Sequence, residues 1–481
     1  MNQSEVDKYL ASIEEDSFRD HIATVDQSGK RIWIYPKKPN GWYYNIRTYL
    51  SWVLLAFLFG IPWIKVGGEP FLLFNVLERR FILFGLHFAP QDFYLFVLAM
   101  LILIVFIALF TVVFGRLFCG WVCPQTIFME MVFRKIEYWI EGDANAQRRL
   151  ANAPWTRDKI IKKVGKQIIF FTIAVLVANT FLAYIIGIDE VIRIATEPVE
   201  LHLGGFIAMI IFSFAFYGVF SVLREQVCVT ICPYGRLQGV LLDQDSLVVA
   251  YDFERGEPRG KYRKPKKDAE PDPTQLALGD CIDCKLCVQV CPTGIDIRNG
   301  TQLECVNCTA CMDACDEVME KIDRPKELIR YDSHNGILSG KRRIFTPRAI
   351  AYSAVLFVLI GIEVFLFTNR SDVDTLLLRT PGMLYQEVDE NTISNLYNYH
   401  LSNKTSDPMS ITFSLVNSEG NIRLVGNDSP EVPANGEAEG ALFIDLPKTE
   451  LEGNKHTIRV QVMSGDKVAD EVKTNFFGPP K

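Results

Sequence analysis

The chain has 481 residues, 49% of them hydrophobic, and its 57 acidic against 50 basic side chains leave a formal charge of −7. A mean hydropathy of +0.13 is mildly apolar for so charged a chain. It excludes a single uniform globule in favour of apolar spans joined to polar domains, and the acidic balance argues against a nucleic-acid partner.

Residues 1–40 read as a soluble, cytoplasmic leader. The opening MNQSEVDKYLASIEEDSFRDH has no basic stretch running into an apolar one, so no cleavable signal peptide is expected. Residues 41–250 read as an α-helical membrane domain with spans at Tyr43–Ile64, Phe93–Phe114, Gln167–Ile188 and Gly204–Val222, each about long enough for a ~30 Å hydrocarbon core. Between the first two, Val66–Asp92 is apolar but broken by Glu78, Arg79 and Arg80, and reads as an interfacial or partly re-entrant helix. Residues 115–166 are polar and basic. Residues 251–279 form a charged, proline-rich linker, 280–346 a two-cluster ferredoxin-like insert, and 347–368 a fifth span. Residues 369–481 alternate in short runs such as SITFSLV, GALFIDL and HTIRVQV between Asn, Gly and Pro turns, which predicts a small antiparallel β-sandwich. Asn403 opens a glycosylation sequon to which no role is assigned.

Lys and Arg crowd the leader and the 115–166 and 224–346 segments, whereas 189–203 carries only Arg193. The positive-inside rule therefore places the leader and all twelve cysteines on the cytoplasmic side and the C-terminal domain outside, periplasmic in a Gram-negative cell.

Eight cysteines carry the strongest signal. Cys281, Cys284, Cys287 and Cys291, then Cys305, Cys308, Cys311 and Cys315, each repeat the C-x2-C-x2-C-x3-C spacing that wraps a cubane iron–sulfur cluster. Three closely spaced thiolates reach three irons of one cube, and the fourth ligand comes from the other half. Cluster one would take Cys281, Cys284, Cys287 and Cys315; cluster two would take Cys305, Cys308, Cys311 and Cys291. Zinc sites use two CxxC pairs rather than triplets, and disulfides do not suit a reducing compartment. One irregularity stands out: Cys291 is followed by proline, Cys315 by Asp316.

The other four cysteines form two C-x3-C-P motifs, Cys119 and Cys123 after the second span and Cys228 and Cys232 after the fourth. This reads as an internal duplication. Four residues apart on a helix is one face, so each pair would present two thiolates together, with Pro124 and Pro233 ending or restarting the helix. Convergence of the pairs would make a four-thiolate site suited to Cu(I), zinc or a further cluster; buried, inert thiols are the alternative. Met129 and Met131 are weaker candidates for copper, and Glu363 is an acid inside the fifth span. The scattered histidines carry no haem-attachment motif, and no Gly-rich dinucleotide fingerprint precedes a helix.

With GDCIDCKLCVQVCPTGIDIRNG, ECVNCTACMDACDEVM, FCGWVCPQ and CVTICPYGRLQ in view, the chain resembles, over nearly its whole length, the cytochrome c oxidase accessory proteins called CcoG, FixG or RdxA. The resemblance implies a membrane-bound polyferredoxin that reduces Cu(II) to Cu(I) for the copper centre of cbb3-type cytochrome c oxidase, with an immunoglobulin-like outer domain. It implies clusters on the eight ferredoxin cysteines and copper handling at Cys119, Cys123, Cys228 and Cys232. It also implies oxidase assembly factors and a copper transporter or chaperone as partners. The electron donor is left open between quinol and a cytoplasmic reductant. Two rivals stand beside this expectation. A NapH-like quinol dehydrogenase subunit shares both cysteine motifs but ends near the ferredoxin segment. A non-catalytic scaffold would use its clusters only to sense redox state.

Overall fold

The computed structural model describes residues 24–25, 28, 30–77, 80–88, 93–261, 278–382, 384–405, 407–416, 418–426, 429–434, 436–451, 453–465 and 467–479. Among the described residues five helices are long and apolar enough to cross a membrane: Trp42–Trp63, Phe93–Phe114, Arg157–Ile186, Leu203–Leu223 and Pro347–Thr368. The second and fifth have the expected bounds. The third begins at Arg157 rather than Gln167, because its basic first turns are held by acids: Lys163 Nζ lies 3.0 Å and Lys166 Nζ 2.9 Å from Glu141. The segment before it is not a loop but a run of helices, among them Ile127–Phe133, Arg134–Ile140 and Ala144–Asn152.

The chain divides into two compact units. The first, built from residues up to Gly60 with Ile102–Leu182 and Val191–Val358, holds every cysteine. Phe128, Phe133, Phe170 and Phe220 form its apolar centre; Phe133 stacks on Phe220 at 4.7 Å and meets Phe170 edge-on at 4.8 Å. A second core, around Val249, Tyr251, Met312, Met319 and Ile329, supports the ferredoxin-like fold. Its strand Val248–Tyr251 pairs with Ile329–Asp332, so this fold begins before residue 280 and the linker is shorter than expected. Residues 262–277 of that linker lie outside the described residues. The leader also differs from expectation from Lys30 onward: Arg31 meets Glu225 at 2.8 Å and Lys37 N–H donates to Gln289 O at 2.7 Å.

The second unit contains Ile61–Leu101, Ala183–Glu190 and Leu359–Lys481. Here the described residues of Val66–Asp92 form strands and turns, not the expected interfacial or partly re-entrant helix. Lys65–Val66 pairs with Glu69–Pro70, and Leu72–Asn75, Arg80–Leu83 and Leu86–Phe88 form an antiparallel sheet. Positive φ at Gly67, Gly68 and Gly85 allows the reversals. The apolar runs between them are strand-length, too short to distinguish from helix by pattern alone.

The rest of this unit is the β domain, with strands β1 (Val373–Arg379), β2 (Gln386–Glu387), β3 (Thr392–Asn403), β4 (Met409–Leu415), β5 (Asn421–Leu424), β6 (Glu431–Val432), β7 (Glu437–Pro447), β8 (Lys455–Ser464) and β9 (Lys467–Phe477). One sheet runs β5-β7-β3-β1 with β2 also on β3, the other β6-β4-β8-β9, all antiparallel. Leu442, Ile444 and Leu446 on β7 and Ile458, Val460 and Val462 on β8 turn inward at alternate positions and are buried. This is the immunoglobulin-like sandwich. The side chain of Asn403 is buried, its Nδ2 donating to Asp407 O at 2.8 Å, so the sequon presents no free acceptor.

Candidate metal centres

Each ferredoxin triplet owes its shape to the backbone. Asp283 and Lys285 flank Cys284 with φ of 52° and 56°; Asn307 and Thr309 flank Cys308 with φ of 52° and 64°. Left-handed residues on both sides of the middle cysteine curl each triplet around a hollow. For Lys and Thr this conformation costs about 1–3 kcal/mol, strain that a functional loop retains. Cys281, Cys284, Cys287 and Cys315 line one small cavity; Cys291, Cys305, Cys308 and Cys311 line another, with Cys287 at its edge. The donor sets and surroundings fit 4Fe-4S clusters. The absence of proline after Cys315 has a structural result: the helix Ala310–Lys321 runs on through it, whereas Leu286–Gln289 stops just before Cys291 and Pro292. That continued helix carries Asp313, whose carboxylate accepts from Tyr43 N–H at 3.1 Å and Tyr44 N–H at 2.8 Å and so caps the first span.

The C-x3-C-P motifs share a different geometry. Cys123 N–H donates to Phe118 O at 2.9 Å and Cys232 N–H to Val227 O at 2.8 Å, in both motifs a wide turn reaching five residues back. The second cysteine of each pair is not on the helix face that spacing suggested. Cys123 and Cys232 have extended backbones, ψ 123° and 113°, and cap the new helices that begin at Pro124 and Pro233. Proline forces this, since it excludes the helical conformation from the residue before it.

The two pairs nevertheless meet. Thr126 lies within hydrogen-bond reach of the sulfurs of both Cys123 and Cys228. Gln238, from the helix after the second pair, donates through Nε2 to Cys119 Sγ at 3.3 Å. The sulfurs of Cys123 and Cys232 lie close enough to Cys119 and Cys228 to disfavour the ionisation of those two thiols. Burial first, then these neighbours, push the Cys119 thiol up to about 11 and the Cys228 thiol to about 12. Among the described residues no three His, Cys, Asp or Glu side chains are gathered tightly enough to hold a single metal ion. Met129 lines a small cavity with Cys228, Thr126 and Pro292, while Met131 packs beside Arg47 and Cys308 in another. Glu363 is half-buried in the second unit, with one carboxylate oxygen unpaired.

Two arginines, with no site role expected from the sequence, connect the two constellations. Arg47 donates from Nε to Gly120 O at 2.7 Å and from Nη1 to Cys308 O at 3.1 Å. Arg116 donates to Leu303 O, to Cys305 O at 3.4 Å and to Gly235 O at 2.9 Å. A Cβ on Gly120 would sit 2.5 Å from Val306 O, so only glycine lets the first motif approach the cluster-two loop this closely. Cys119 consequently packs in one apolar cluster with Cys308 and Cys311.

A buried ionic network lies beside them. Glu137 accepts from Arg224 at 2.9 and 2.6 Å and from Lys166 at 3.4 Å. Burial alone would raise its carboxyl, but Arg224, Lys166 and Arg134 hold it down at about 2. Arg134 in turn lies 3.1 Å from Glu130, and the side chains of both Arg134 and Arg224 are buried.

Residues 223–334 match the family described as a 4Fe-4S dicluster domain, 96–143 a 4Fe-4S binding domain, and 364–479 the IG-like fold at the C-terminal of FixG. Protein RdxA of Cereibacter sphaeroides is 31% identical over 434 residues, covering 86% of this chain and 89% of that protein. The chain belongs to the FixG/RdxA family. Protein RdxB of the same organism is 34% identical over 427 residues, 84% of this chain and 87% of RdxB. The nitrogen fixation protein FixG of Rhizobium meliloti is 37% identical over 312 residues, 63% of this chain and 57% of FixG. Like its family, this chain is a membrane-associated iron–sulfur electron-transfer protein with two clusters.

Proposed function

We propose that this FixG/RdxA protein is a membrane-bound cupric reductase that supplies Cu(I) for the copper centre of cbb3-type cytochrome c oxidase. The observation that carries the reading is that Cys119 packs against the same small apolar cluster as Cys308 and Cys311, which puts the C-x3-C-P site beside the cluster-two ligands. Cys281, Cys284, Cys287 and Cys315 would hold one cluster, and Cys291, Cys305, Cys308 and Cys311 the other. When bound, they supply one-electron transfer at potentials set by nearby charge and hydrogen bonds.

The chain's own residues do the rest. Copper, as substrate, meets Cys119, Cys123, Cys228 and Cys232, whose soft sulfurs favour Cu(I) over Cu(II) and so pull the reduction forward. Burial holds the Cys119, Cys123 and Cys228 thiols above the usual range, and copper displaces their protons as it binds. Thr126 and Gln238 orient the sulfurs, while Arg47 and Arg116 hold the motif against the cluster-two loop. In this reading the protein sits in the inner membrane with its leader and clusters cytoplasmic and its β domain periplasmic. It hands Cu(I) to a transporter or chaperone and to oxidase assembly factors.

The test is anaerobic mixing of Cu(II) with protein whose clusters have been reduced with dithionite. Cluster reoxidation matched by Cu(I) formation, and lost in the Cys119→Ser/Cys228→Ser variant, is expected. Clusters that stay reduced in the presence of Cu(II) would end the proposal.

A further inference from the structure

A cavity of about 720 Å³ in the first unit belongs to neither cysteine constellation. Two of its walls, Tyr251 and Arg298, also wall the hollow ringed by Cys281, Cys284, Cys287 and Cys315, so a molecule in the cavity is one side chain from the cluster-one ligands. Its opposite wall is fastened to the ends of two spans. Ser246 Oγ donates to Val112 O at 2.7 Å and Leu247 N–H to Val113 O at 3.0 Å, on the last turn of the second span. Asp243 pairs at 3.5 Å with Arg348, at the start of the fifth span. The cavity therefore lies where the chain leaves the membrane. Apolar side chains at and next to its lining, Leu303, Leu338 and Val240, are exposed. The interior is divided in character: Leu242, Val248 and Ile337 offer apolar surface, while Gln244, Gln302 and His334 offer hydrogen-bonding groups.

We propose that this cavity binds the head of a lipid-soluble quinol and is where electrons enter the protein. The volume falls within the usual range for small-molecule sites, and the mixed lining suits a flat ring with two polar ends and an apolar tail. A nucleotide-type reductant carries phosphate and needs a cation or a Gly-rich cradle. Among the described residues of the lining Arg298 is the one Lys or Arg, and it is committed to Asp283 and Asp296 at 2.6 Å each; no dinucleotide fingerprint is present in the sequence. An uncharged quinol needs neither. In its oxidation both O–H bonds break and the quinol becomes quinone. One electron goes to each of the two 4Fe-4S clusters, and the two protons pass to His334 and Asp243, both exposed to water. The proposal rests on the electron-transfer reading but not on copper as the acceptor.

The test is calorimetric titration of the full-length protein in detergent with a short-tailed ubiquinone analogue, and in parallel with flavin mononucleotide. One saturable quinone site per chain is expected. Filling the cavity with Ala250→Phe, or removing a polar contact with His334→Leu, should weaken binding at least tenfold. Iron content and cluster absorbance should not change, which separates loss of the site from loss of the fold. Absence of saturable quinone binding, equal affinity in both variants, or binding of the flavin instead would overturn the proposal. Dithionite-reduced protein still reports on Cu(II) reduction in every case, so failure at this site and failure of the copper reading are told apart.

Discussion

The eight ferredoxin cysteines and the four C-x3-C-P cysteines sit side by side yet are shaped by different means. Each ferredoxin triplet is curled by its own backbone, through left-handed residues on either side of Cys284 and Cys308. The C-x3-C-P pairs are wide turns, and their setting depends on side chains outside those turns: Thr126, Gln238, Arg47 and Arg116. A site preformed by local backbone suits a permanently resident cofactor. A site assembled by neighbouring side chains suits cargo that arrives and leaves.

The sharpest test of that difference is iron content. Cys308→Ser should remove one of two clusters and about half the iron per chain, whereas Cys119→Ser should leave iron unchanged. If Cys119→Ser also loses iron, the comparison fails and the second constellation holds a cluster of its own, as the match of residues 96–143 to a 4Fe-4S binding domain would allow.

Next in size is Glu137→Gln, which takes from the buried Arg224 its two short carboxylate contacts and should cost about 3–5 kcal/mol in denaturant unfolding. The same carboxyl sets an acid limit. Its folded pKa of about 2 lies below the ordinary value of 4.5, so its contribution is complete above 4.5 and is lost as pH falls through about 2. Unfolding midpoints recorded across that window should fall in the native protein and stay flatter in the variant.

Gly120→Ala should cost about 1–3 kcal/mol by overpacking against Val306 O. Stopped-flow bleaching of reduced clusters by Cu(II) should slow while their absorbance is retained. The smallest effect belongs to the β domain: Ile444→Val in its core should cost about 0.5–1.5 kcal/mol and leave iron and copper chemistry untouched.

The sequence was most informative where function depends on local spacing. Cysteine intervals define both constellations, and the alternation after residue 369 marks the sandwich. It misled where an apolar run was short, as in the strands around Leu73 and Ile82, whose pairing partner lies across a turn rather than along a helix. It was silent where meaning is long-range. Arg31 is one of the basic residues crowding the leader and Arg47 lies within the first span, yet Arg31 pairs with Glu225, and Arg47 is buried and joins carbonyls 73 and 261 residues away. The role of Gly120 likewise becomes visible only with Val306 beside it.

The carboxylate of Asp313 also has a consequence in time. It caps a helix made 270 residues earlier in synthesis. A nascent chain therefore inserts its first span with leading amide groups unsatisfied, and completes that helix only when the cysteine-bearing helix folds back onto it. Any metal group that stabilises the late helix stabilises the early one by linkage. Cofactor delivery and the capping of the first membrane helix are thus coupled, although they involve segments at opposite ends of the first unit's sequence.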